Sequence, residues 1–251
     1  VRQRILNLLY PAAALVALAA LWEAAAILFR LPAYILPPPS AIARATAENA
    51  GFLLTHLLIT LYEIALGFAG GVFLGFVTAV VIVHSPFLAR MIYPLVVLTQ
   101  SIPKITIAPV LLVWFGLGLG SKVALIVLMS FFPIVVNTVT GMTAVDPYAL
   151  DLLRSLQAGR LHVFWLLRLP NALLAFFDGL KMAVTMSIIG AVLAEFIGSS
   201  QGIGWLILVS KSNMDLALSF AGIAVISIAA VVLFGVVGAA QRVTVHWQQA
   251  R

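Results

Sequence analysis

Apolar runs too long for a soluble core dominate this chain. Six segments, at about 9–29, 56–83, 88–115, 122–145, 172–197 and 216–241, are nearly free of charged side chains. About 20 consecutive apolar residues cross a bilayer as a helix, so each of these runs is long enough to span. Charged residues make up 9% of the 251 positions, against roughly 25% in soluble domains. A surface so poor in charge faces lipid rather than water. Backbone groups in lipid must be satisfied within the segment itself, which predicts helices. The period-two alternation of barrel strands does not occur in these runs. The expected fold is an all-α membrane protein with about six transmembrane helices, forming one domain over 1–251.

The basic residues predict the topology, because cytoplasmic loops carry an excess of lysine and arginine. Alternating the six spans places Arg2, Arg4, Arg90, Arg154, Arg160, Arg168, Arg242 and Arg251 on one side. Arg30, Arg44, Lys122 and Lys211 fall on the other. Eight against four puts both termini and the loop 146–171 inside. Arg2 and Arg4 before an apolar run imitate a signal peptide, but the run is long for one and reads as a retained helix. The segment 30–55 lies outside, with Pro37-Pro38-Pro39 ahead of a short amphipathic helix at Ala41–Ala50 that rests on the membrane surface. Trp114 and Trp205 suit the outer interface, and Trp165 and Trp247 the inner one.

The loop 146–171 is more elaborate than a connector needs. Asp146-Pro147 is a helix start, with a capping carboxylate and a proline at the first helical position. Ala149, Leu152, Leu153 and Leu156 follow at i, i+3, i+4 and i+7 spacing, with Asp151, Arg154 and Ser155 opposite. Such a helix either lies on lipid or serves as a knob fitting a groove on a soluble partner.

Composition also removes function classes. There is no cysteine, hence no disulfide or thiolate site. His56, His84, His162 and His246 show no ligand spacing, so no metal is expected. The net charge of +6 belongs to topology rather than to nucleic-acid binding. Gly116–Lys122 resembles a phosphate loop but lacks the GK[ST] ending. An intramembrane protease would need paired aspartates, a Ser–His pair or H-E-x-x-H, and none is placed for it.

The stretch Arg154–Ala158, through Phe164-Trp165 to Arg168-Leu169-Pro170, resembles the EAA loop of ABC importer permeases. Asp151 stands at the family Glu, Leu152 and Leu153 at the two Ala, and Gln157 at the Gly, with Gly159 positioned to take over the turn. Elsewhere the order and spacing of further motifs resemble the nitrate/sulfonate/taurine/bicarbonate branch, which includes carriers of pyrimidine precursors. These motifs are Ser101-Ile102-Pro103-Lys104, Ala108-Pro109, Trp114–Gly118, Phe131–Ile134, Gly179-Leu180-Lys181, Ala194-Glu195-Phe196 and Gln201–Gly204.

The resemblance implies a type I importer (MetI-like) permease fold in the bacterial inner membrane. It implies a homodimer on two ATPase subunits that bind ATP and Mg, fed by an extracytoplasmic solute-binding protein. No cofactor is then expected in this chain, and ATP hydrolysis resides in the separate subunit. The loop becomes a coupling helix, with Asp151, Arg154, Ser155, Gln157, Gly159 and Arg160 as its coupling residues.

Charges within spans mark partners or a water-filled path. Glu23, Glu63, Lys104, Lys181 and Glu195 are such charges. Pro103 and Pro109 lack an N–H and loosen the third span around Lys104. Gln100, Pro103, Lys104, Pro109, Lys181 and Glu195 are therefore the candidates for the translocation pathway or gate. The competing reading of Lys104 is an internal salt bridge to Glu195 or Glu63. Gly67, Gly71 and Gly75 present one small face for close helix packing, either inside the subunit or across a dimer. The glycines of Gln201–Trp205 suggest a tight turn or re-entrant piece at the outer mouth. The alternative function is a stand-alone secondary transporter or channel, which would leave the loop 146–171 unexplained.

Overall fold

The computed structural model describes the backbone of residues 2–245, with the side chains of Tyr10 and of residues 13–245. Arg2 and Arg4, as side chains, and His246, Trp247 and Arg251 lie outside the described residues. All regular structure among the described residues is helical. The helices are α1 (Arg2–Leu28), α2 (Pro39–Glu48), α3 (Ala50–His84), α4 (Pro86–Thr99), α5 (Ala108–Phe115) and α6 (Leu119–Thr143). They continue with α7 (Pro147–Ser155), α8 (Arg160–Val163), α9 (Leu169–Gly198), α10 (Ile203–Ser212) and α11 (Leu216–Thr244). A 3-10 turn, Lys104–Ile107, leads into α5, and a π turn, Phe164–Arg168, joins α8 to α9.

Among the described residues, four helices are long and apolar enough to cross a membrane: α3, α6, α11, and α8 with α9 as one Arg160–Gly198 rod. The pair α4 and Lys104–Phe115 passes the same test together but bends by 91°. The prolines explain the bend: Pro103 and Pro109 cannot donate to a continuing helix, so the run ends at Thr99 and restarts at Ala108. In α1 the described apolar stretch, Ala13–Leu28, is shorter than the others. The expected surface helix is α2. It is held by Glu23, whose carboxylate accepts the Ser40 N–H at 3.0 Å and the Ser40 hydroxyl at 2.7 Å.

The bundle is built around α6, which packs most extensively against α3 and α9. The glycine stripe of α3 makes this possible. Gly67, Gly71 and Gly75 lie against Ile126, Ser130 and Ile134 of α6, so the four-residue repeat of one helix meets the same repeat of the other. A Cβ at Gly75 would come within 2.8 Å of the Ile134 Cβ, closer than real side chains pack. The stripe thus belongs to packing inside the subunit. Outward, apolar side chains stand uncovered: Leu15 and Val16 on α1, Phe73 on α3, Val231 and Val232 on α11. An apolar exterior of this extent is the lipid-facing surface that the composition requires.

Candidate functional site

Two constellations stand at opposite ends of α3, α6 and α9. The first is a buried polar knot. Glu63 and Thr60 come from the first half of α3, Lys122 from the first turn of α6, and Glu195 from the last turn of α9. All four are buried, with Thr60 fully enclosed and Glu195 at 1% exposure. Lys122 Nζ donates to Glu63 Oε1 at 2.6 Å and to the Ser199 hydroxyl at 2.7 Å. The Thr60 hydroxyl donates to Glu195 Oε1 at 2.6 Å.

The knot also caps α10. A helix start leaves its first N–H groups without internal partners, and Gly202 offers no side chain to satisfy them. Instead the Gly202 N–H donates to His56 Nδ1 at 3.0 Å, Ile203 N–H to the Thr60 hydroxyl at 2.9 Å, and Gly204 N–H to Glu195 Oε2 at 2.5 Å. The accepting Nδ1 requires the His56 tautomer protonated at Nε2. A carboxylate at a helix N-terminus is also favoured by the helix dipole. Two glycines are obligatory here. Gly202 has φ +102°, and a Cβ there would run into the Glu195 carboxylate. A Cβ at Gly204 would lie 2.7 Å from the Val192 carbonyl oxygen. The Gln201–Trp205 segment is therefore the docked N-terminus of α10, and Trp205 is half-buried with its ring 5.1 Å from that of His56.

This knot sharpens one expectation and corrects another. Lys122, counted only as an outer-side charge at the start of the fourth span, is buried as the ammonium partner of Glu63. Lys104 bridges neither Glu63 nor Glu195; its Nζ sits 5.0 Å from the Phe132 ring centre, a cation–π contact. The sequence signal for Lys122 was its place directly ahead of the apolar run Val123–Met129, where a lysine in the first turn is carried into the bundle. His56, Thr60 and Ser199 carried no signal, since their partners lie on other helices.

The remaining pathway candidates divide. Glu195 belongs to the knot. Gln100, Pro103 and Pro109 are exposed around the 91° bend, with Lys104 half-buried between the bend and the middle of α6. Lys181 stands apart on α9, 3.5 Å from Asp178, in a groove shared with Arg242 of α11.

The second constellation is the 146–171 segment. The Asp146 carboxylate accepts the Tyr148 N–H at 2.9 Å, the cap that the sequence predicts. Asp151 and Arg154 pair at 3.1 Å, both exposed, and the Ser155 hydroxyl donates to the Leu152 carbonyl at 2.8 Å. Ala149, Leu150 and Leu153 are half-buried, whereas Tyr148, Leu152 and Leu156 are exposed at 85%, 61% and 69%. The apolar face is therefore split. Leu152 and Leu156 form with Tyr148 an i, i+4, i+8 stripe that nothing among the described residues covers.

The turn after α7 lies at Gln157, not Gly159. Gln157 has φ +57°; its N–H donates to the Arg154 carbonyl at 2.9 Å and Ala158 N–H to that of Leu153 at 3.0 Å. That is the paired bonding of a Schellman stop. Gly159 is extended, with φ −64° and ψ 158°, and precedes Arg160, the first residue of α8.

The segment is clasped to the bundle. The Asn171 side chain donates to the Gly141 and Ala144 carbonyls at 2.9 and 3.0 Å, closing the end of α6. Arg168 donates to the Val83 carbonyl at 3.2 Å, at the end of α3. The Phe164 ring lies 4.8 Å from that of His84. One short segment thus grips the ends of the three helices whose far ends tie the polar knot.

The chain is similar to known transport proteins. The family of binding-protein-dependent transport system inner membrane components matches residues 71–245. A Haemophilus influenzae "Probable ABC transporter permease protein" is 34% identical over 88% of this chain and 90% of its own length. The formylaminopyrimidine transport permease of Halalkalibacterium halodurans is 32% identical over 91% and 92%. The taurine transport system permease of Escherichia coli is 29% identical over 93% and 87%.

Proposed function

The chain belongs to the family of binding-protein-dependent transport system inner membrane components and is a permease subunit of an ABC importer; on that premise, we propose how its parts divide the task. Residues 146–171 are the coupling segment and α7 is the coupling helix. It docks in the groove of a cytoplasmic ATPase subunit, which binds ATP and Mg. Two copies of the permease stand on two such subunits in the bacterial cytoplasmic membrane, with both termini inside. A solute-binding protein delivers a small anionic or heterocyclic organic solute at the α10 end. The relatives that carry formylaminopyrimidine and taurine support that substrate class.

The observation that carries the reading is the uncovered stripe Tyr148, Leu152 and Leu156 on a helix that packs extensively against none of the others. An exposed apolar stripe of this kind fits the helix-in-groove mode of recognition. Displacement of α7 then reaches α3 and α6 through α8 and the π turn, by way of the Arg168 and Asn171 clasps. The exposed break around Pro103, with Lys104 beside it, forms the gate, since irregular backbone at membrane depth is tolerated where it lines a cavity.

Co-expression with the ATPase subunit tests this. The pair should co-purify, and Leu152→Asp with Leu156→Asp should release the ATPase while leaving the permease folded. Transport driven by an ion gradient with no ATPase present would overturn the reading in favour of a secondary transporter. Lys104→Met should leave the assembled protein intact and abolish uptake. Loss of assembly instead would return Lys104 to a structural role.

A further inference from the structure

A dense positive cluster lies beneath α7, on the side turned toward the bundle. A pocket of about 290 Å³ is lined by His84 at the end of α3, Pro86 at the start of α4, and Arg154, Arg160 and Arg168 of the coupling segment. Arg154 is partly neutralised by Asp151. Arg168 gives one N–H to the Val83 carbonyl. Among the described residues no carboxylate pairs with Arg160 or Arg168. Arg160 and Arg168 thus line this small pocket, beside Arg154, with no carboxylate to offset their charge, and the fork geometry of a guanidinium matches the oxygens of a phosphate.

The surroundings identify the anion. A second pocket of about 470 Å³ shares Pro86 and runs along the outside of α4, lined by Phe87, Arg90 and Met91. Phe87 is 70% and Met91 52% exposed, and Trp165 of the π turn is 59% exposed. A basic pocket that shares Pro86 with a groove apolar but for Arg90, and whose lining residue Phe164 is followed by the exposed Trp165, has the composition of a phospholipid site at the membrane interface.

We infer that this pocket binds the phosphate of an anionic phospholipid, whose acyl chain lies in the α4 groove. The lipid fills the space between α7 and the α3–α4 joint, so it stiffens the coupling segment against the bundle. The inference rests on the chain being a membrane protein and on this pocket, and does not depend on the ATPase.

The test uses the full permease without its ATPase. Native mass spectrometry after reconstitution should show phosphatidylglycerol retained in preference to phosphatidylcholine, with higher thermal stability in phosphatidylglycerol nanodiscs. Arg160→Gln with Arg168→Gln should weaken that preference by about fivefold for each arginine removed, while Arg160→Lys with Arg168→Lys should keep most of it. Equal retention of the two lipids by the unaltered protein overturns the inference, and this arm needs no variant to fold. Equal protection by inorganic phosphate in detergent, with no lipid retained, overturns it too by making the pocket a free-anion site.

Discussion

The polar knot and the 146–171 segment are both rich in charge, yet they are built on opposite principles. In the knot every charged group is buried and held by partners from other helices: Lys122 by Glu63 and Ser199, Glu195 by Thr60 and Gly204. In α7 the charged pair, Asp151 and Arg154, is exposed and internal to one turn of helix. The first arrangement fixes the geometry of three helices and of α10. The second leaves a surface free to meet another molecule. Charge in this chain is structural where it is buried, and available for recognition where it is solvated.

Four substitutions break or sharpen that contrast. Lys122→Met should have the largest effect. It leaves two buried carboxylates without a cation, and removing one partner of a buried pair costs about 3–5 kcal/mol. Thermal unfolding in detergent should show the loss, and Glu63→Gln in the same chain should recover much of it. An unaltered melting temperature in Lys122→Met would remove the contrast altogether. Gly204→Ala should come next, because its Cβ meets a backbone carbonyl that cannot swing aside. A destabilisation of about 1–3 kcal/mol is expected for such overpacking, read in the same assay.

At the other end the signs change. Gln157→Gly should stabilise by about 1 kcal/mol, since the left-handed backbone there penalises any side chain; a lower melting temperature would mean that the Gln157 side chain has a role of its own. Arg154→Ala should move stability by no more than about 0.5 kcal/mol, as exposed pairs do. Its effect should appear instead as weakened co-purification of the ATPase.

Much of this fold is legible in the sequence, and the boundary of legibility follows distance along the chain. Apolar length places α3, α6, α9 and α11. Pro103 and Pro109 place the break, and Asp146-Pro147 starts α7, because each of those effects is decided within a few residues. The cross-helix pairings are not legible. Lys122 and Glu63 are 59 residues apart, and nothing local distinguishes a lysine ending a loop from one entering the bundle. Lys104 shows the converse error. Its position in an apolar run calls for a carboxylate, but an aromatic ring meets it instead. The sequence offers two places for the turn after α7, Gln157 at the family glycine and Gly159 beyond it; glycine is the usual left-handed residue, yet the helix ends early enough to force Gln157 into that conformation. The separate helix α10 is hidden for a related reason, since its N-terminal caps come from α3 and α9.

The meshing of Gly67, Gly71 and Gly75 with Ile126, Ser130 and Ile134 has a mechanical corollary. Two helices toothed at the same four-residue interval cannot slide past one another by a fraction of that interval; the next register lies four residues away, about 6 Å along the axis. Helices α3 and α6 therefore behave as a single strut. On the proposed reading, a displacement applied at the Asn171 and Arg168 clasps would move the two helices together, and the 91° joint between α4 and α5, which lies outside the mesh, would be left to change shape.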